Sequence, residues 1–241
     1  MARVWIEPMV AQPSTPAAPH ERWPWALAIG PLLPAIYWYF GRSDTIGARA
    51  HDGSWLDVTG PEWGGLVSFL AAFVLLGVIP ALLSKRILDR RPRDLGVGLG
   101  NVREGLIWLL LGVPIGIAIG WTNATSPELA AVYPLGSPQL TIVSFLPHAI
   151  GYTLYYIGFE YHFRGFMLLG LEQRIGPWVA NILQAGIVTL AHLGKPSLEL
   201  AVAFPASLLF GWIVLRTRSI WYVVAIHAAV GIALDFFLLR G

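Results

Sequence analysis

Seven apolar runs account for most of this chain, each close to the length a lipid bilayer demands of a helix. In hydrocarbon every backbone N–H and C=O must be bonded within its own segment, so a spanning helix takes roughly 20 apolar residues. The runs are Trp25–Phe40, Gly64–Leu83, Gly105–Trp121, Leu140–Leu171, Trp178–Leu193, Leu200–Leu215 and Ile220–Leu239. Only 12% of the 241 residues are charged, against about 25% in a soluble domain. The expectation is an all-α, polytopic transmembrane helical bundle of about seven spans. The fourth run is too long for one straight span. Pro147 is expected to end a short lead-in helix there, leaving Gly151–Leu171 as the span proper.

Residues 1–24 carry Glu7 and five prolines but no continuous apolar core. They read as a disordered tail rather than a signal peptide. Residues 25–241 then form one membrane-embedded domain, with no internal repeat and no soluble insert. The net charge of +2 is small, and the basic residues collect in loops, where helix orientation explains them without a nucleic acid. Lys85, Arg86, Arg90, Arg91, Arg93 and Arg103 mark one cytoplasmic loop, and Arg216 and Arg218 another. The acidic loop 41–63 and loop 122–139 fall outside, which sets the N-terminus in the cytoplasm and the C-terminus out. The chain has no cysteine, which excludes disulfides and thiolate chemistry.

Against this background "GFEYHFRGF", residues 158–166, is anomalous. An ionisable group at the bilayer centre costs about 2.5–3.5 kcal/mol, so such groups face the bundle interior and are paired or functional. Glu160 and Arg164 are four apart and share a helix face with Tyr156; an internal salt bridge is one reading of them. His162 points elsewhere and reads as a packing histidine. His192 closes the fifth run, where Gly194 and Pro196 would stop a helix. Lys195 and Glu199 follow it at once. His227 lies about two turns into the last run, and Asp235 is about 12 Å further along the axis. Taken together, a carboxylate and two imidazoles are the equipment for activating a water: Glu accepts its proton, and His steadies the oxyanion or holds a metal.

"FEYHFRGF", "VTLAHLGKP" and "IHAAVGIALD", in that order on late helices, resemble the CPBP family, the CAAX-protease and bacteriocin-processing (ABI) group of intramembrane proteases. "RPRDLGVGLGN" resembles the family's lead-in, and the loose resemblance covers about residues 64–239. The family pattern is Glu-Glu-x-x-x-Arg, then Phe-x-x-x-His, then His-x-x-x-Asn or Asp. Here Phe159 stands at the leading Glu, Val188 at the Phe, and Gly231 at the Asn or Asp. His192, Lys195, Pro196, Glu199 and Asp235 resemble a bacterial subset with a single Glu in the first motif.

The resemblance implies an intramembrane endopeptidase in the bacterial plasma (inner) membrane, with a peptide or membrane-protein substrate. Glu160, His192, His227 and Glu199 are the candidate catalytic residues, and Arg164, Lys195, Asp235 and Tyr156 the supporting ones. Either Glu160 or Glu199 serves as general base. The cofactor is open between a divalent metal such as zinc, with His192 and His227 as available ligands, and none. Motifs of other intramembrane enzymes are absent: there is no His-Glu-x-x-His, no Gly-x-Ser-x-Gly and no Cys. The alternative is a non-catalytic membrane scaffold, immunity or partner-binding protein, which Phe159 and Gly231 favour and the "HLGKPSLE" block opposes.

Overall fold

The computed structural model describes residues 22–41, 64–135, 137 and 139–240. Most of the proposed tail, 1–21, and most of the acidic loop, 42–63, lie outside the described residues. Among those described there are eight α-helices and no strand. They are α1 (Pro24–Ile36, continued by π-helical Tyr37–Gly41), α2 (Gly64–Ile87), α3 (Val102–Asn123), the short α4 (Pro127–Ala130), α5 (Ile142–Ile175), α6 (Pro177–Leu190), α7 (Ser197–Thr217) and α8 (Trp221–Leu238). Helices α2, α3, α5, α7 and α8 are long and apolar enough to cross a membrane. The chain is an integral membrane protein.

The fourth run differs from its expectation. Pro147 does not end a helix: α5 runs unbroken for 34 residues. Thr141 caps it, accepting from the Ser144 N–H at 3.3 Å while Ser144 accepts from the Thr141 N–H at 3.0 Å. Pro147 falls in the second turn, where its missing N–H forfeits a single bond, to the carbonyl of Val143. The helix is about 51 Å long at 1.5 Å per residue, and its middle, Tyr161–Leu169, is π-helical. Gly165 lies within that stretch. A Cβ on it would stand 2.7 Å from the backbone oxygen of Leu95, so the glycine admits the 3-10 turn Pro92–Leu95 that precedes α3.

Another proline explains His162. Pro34 in α1 has no N–H to give the carbonyl four residues back, at Gly30. That orphan oxygen accepts instead from His162 Nε2 at 2.7 Å, and His162 is wholly buried. Helix α3 seats along α8 through Gly105, Gly112, Gly116 and Gly120, where a Cβ would collide with Tyr222, Ile226 or the backbone near Leu234.

The two basic groups share one end of the bundle. The Asn101 N–H donates to Thr217 O at 2.7 Å, and the Ile220 N–H to Gly96 O at 2.9 Å. Arg216 Nε donates to Glu104 at 2.8 Å, and Arg218 forks onto Glu172 at 2.7 and 2.5 Å. At the opposite end Glu128 caps α7, accepting from the Ser197 N–H at 2.7 Å and its hydroxyl at 2.9 Å. Those bonds hold the Glu128 carboxyl below its ordinary value.

Candidate active site

The polar residues of α5, α7 and α8 form one connected group. Glu160 has no exposure. Its Oε1 accepts from His227 Nδ1 at 2.6 Å, and its Oε2 lies 3.2 Å from Arg164 Nε. Charge attraction holds that second contact, since it lacks hydrogen-bond alignment. Arg164 spends its other end on Ser207 Oγ at 3.0 Å, and Ser207 donates to Gln184 at 3.1 Å. Gln184 in turn donates to Asn181 Oδ1 at 2.7 Å. The rings of Phe159 and Phe210 flank the guanidinium, each 5.7 Å from it. A buried charge pair needs such company, because two desolvated ions alone cost more than their attraction returns.

A second group forms where α6 ends. His192 Nδ1 donates to Val188 O at 2.7 Å, which leaves Nε2 with its lone pair, 3.9 Å from Glu199 Oε1. The same Glu199 oxygen accepts from the Tyr133 hydroxyl at 2.9 Å and lies 3.5 Å from Lys195 Nζ. Lys195 also donates to the Tyr133 oxygen at 3.0 Å. Burial, then the Glu199 carboxylate, pushes the Tyr133 phenol well above its ordinary value, so it stays a donor. Burial holds the His192 imidazole below its ordinary value; Lys195 and His227 act the same way, and the Val188 carbonyl and Glu199 act against it.

Two cavities meet between these groups. One, of about 70 Å³, is walled by aromatic side chains from α1 and α5, with Lys195. The other, of about 680 Å³, is a mostly apolar groove between α3, α7 and α8. Tyr133, Tyr152, Tyr156, Phe159, His192, Glu199 and His227 border both. Glu160 borders neither. The sequence left a question of depth, since His192 ends one run and His227 lies inside another. Helix α6 answers it. With 14 residues it reaches only about 21 Å, and His192, just beyond its end, borders the same two cavities as His227.

The remaining candidates sit as follows. Tyr156 lies against His227, ring centroids 4.4 Å apart. Asp235 is away from both cavities and bonds His148 Nε2 at 2.7 Å, the two side chains 0% and 3% exposed. Tyr133, His148, Ser207, Gln184 and Asn181 were not singled out in the sequence. The polar side chains of "NILQAG" within an apolar run were a usable signal for the last two; Tyr133, in a loop, had none. Among the described residues no three His, Asp or Glu side chains converge as a metal set would require. His192 and His227 do not by themselves make a metal centre.

Residues 141–233 match the protein family described as "Type II CAAX prenyl endopeptidase Rce1-like". The match contains the first two motifs and the third as far as Ala233, and it shows the resemblance to CAAX-type proteases over that segment. No curated protein matches the chain. No solved structure matches it either.

Proposed function

We propose that this protein is an intramembrane endopeptidase that hydrolyses a peptide bond where the two cavities meet, with Glu199 as general base. The observation that carries this reading is the contrast between two carboxylates. Glu199 borders both cavities beside the free Nε2 of His192. Glu160 is sealed behind His227 and Arg164. A base must reach the proton it takes directly or through one water, and Glu199 is the carboxylate with that access.

In this reaction a water held by Glu199 and His192 attacks the carbonyl carbon and gives its proton to Glu199. The carbonyl π electrons move to oxygen. The oxyanion pair then re-forms the C=O bond as the C–N bond breaks, and the leaving nitrogen takes the C–N pair and receives the proton back from Glu199. Glu160 acts through His227: it holds the Nδ1 proton and so presents Nε2 to the cavity. The apolar groove suits a substrate that carries a lipid chain or an apolar segment beside the scissile bond. The basic end of the bundle is assigned to the cytoplasm by its Lys and Arg content. We assign the chain to a bacterial plasma membrane on the same resemblance.

A second reading makes His227 the base, since its bond to Glu160 is the short contact of a carboxylate-oriented imidazole. The test is cleavage of a library of lipid-anchored peptides by purified protein in bilayers, compared with Glu199→Gln. Turnover that falls at least about 100-fold in the variant supports Glu199 as base; an active variant removes it from that role. A parent that cleaves nothing returns the chain to the scaffold class.

A further inference from the structure

We infer that the Tyr156 hydroxyl is the hydrogen-bond donor that stabilises the oxyanion formed during peptide hydrolysis, and the inference rests on the peptidase reading above. Hydrolysis of an amide places negative charge on the former carbonyl oxygen. A preorganised donor aimed at that oxygen is worth about 100- to 1000-fold in rate. The walls shared by both cavities contain few donors, and most are committed. The Tyr133 hydroxyl donates to Glu199. His192 Nδ1 donates to Val188 O, and His227 Nδ1 to Glu160. That leaves the neighbouring hydroxyls of Tyr152 and Tyr156, and it is the Tyr156 hydroxyl that stands against Gly231, one turn from His227.

The position of Tyr156 is built by the helix opposite. Its ring is 4% exposed, stacks on Tyr152 at 4.6 Å and meets the His227 ring at 4.4 Å. Its hydroxyl stands over Gly231, one helical turn beyond His227. A Cβ on Gly231 would come within 2.1 Å of that oxygen, and within 3.0 Å of the Tyr152 ring. The glycine therefore makes the space that the phenol occupies. A neutral phenol is well suited to this role: it gives a strong hydrogen bond to an oxyanion without placing a cation in the bundle interior. No proton need leave it during the reaction.

Tyr156→Phe keeps the ring and its stacking and removes the donor. In the lipid-anchored peptide assay kcat is expected to fall about 100-fold or more while KM changes by less than about 2-fold. A phosphinate peptide, which carries the oxyanion permanently, should bind the variant more weakly by a similar factor. Adding Gly231→Asn to Tyr156→Phe fills the vacated space with another donor and should recover at least tenfold of the loss. An active parent with an equally active Tyr156→Phe variant overturns this assignment and leaves the peptidase reading intact. A loss of kcat matched by unchanged phosphinate affinity and no recovery in the double variant also overturns it, since that pattern belongs to a packing role. A parent without turnover overturns the peptidase reading and this one with it.

Discussion

Glu160 Oε1 and His227 Nδ1 are 2.6 Å apart, joining α5 to α8 across 67 residues of sequence. The carboxylate is wholly buried, and the imidazole is about one quarter exposed, with a side-chain exposure of 26%. One partner faces protein and the other faces the cavities. This division fixes how the two acidic residues should respond to mutation. Glu199→Gln is expected to lower kcat more than Glu160→Gln, because the first removes the proposed base and the second loosens the orientation of His227. Glu160→Gln should also lower thermal stability in detergent, and Glu199→Gln should not. The reverse ranking of kcat would make the Glu160–His227 pair the proton acceptor.

Arg164→Ala should destabilise the folded protein by about 3–5 kcal/mol, since it leaves the buried Glu160 charge unpaired. Removing the charge along with its partner is milder. The double variant Glu160→Gln/Arg164→Met should melt above Arg164→Ala in a thermal scan in one detergent. A single variant as stable as the parent would show that Arg164 does not hold the fold.

The His148–Asp235 bond ties the start of α5 to the end of α8, away from both cavities. His148→Ala should lower stability by about 3 kcal/mol by leaving Asp235 unpaired. The kcat of the fraction that remains folded should match the parent's. A large drop in kcat at equal folded concentration would show that this pair reaches the chemistry.

His192 gives a pH dependence with a definite sign. Its folded value lies below the ordinary 6.5, chiefly through burial, with Lys195 among the causes that lower it further. The unfolded chain therefore takes a proton first as pH falls through 6.5, and stability should decline from there down to the folded value. The acid limb of kcat/KM should likewise lie below pH 6.5. Lys195→Met removes a positive charge, so it should move that limb upward. A downward shift would contradict this electrostatic account.

The bundle was legible in the sequence because apolar length and charge depletion follow directly from the bilayer. Glu160, His192, Glu199 and His227 stood out for the same reason, as ionisable groups amid apolar runs. Their pairing was less accessible. Helical spacing assigned Glu160 and Arg164 to one face but could not say that His227 would take the other carboxylate oxygen. Asp235 shared a face with His227 by periodicity, yet its partner is His148, a contact across helices that no spacing encodes. Pro147 carried a helix-breaking expectation because a proline by itself does not reveal that the helix begins only six residues before it, at the Thr141 cap. Tyr133 reaches Glu199 over 66 residues from a loop with no apolar pattern to mark it.

Helix α6 stops after 14 residues, about 9 Å short of a hydrocarbon core about 30 Å thick. On the peptidase reading proposed above, so short a helix would let a substrate reach His192 and Glu199 with less hydrocarbon to cross than a full span demands.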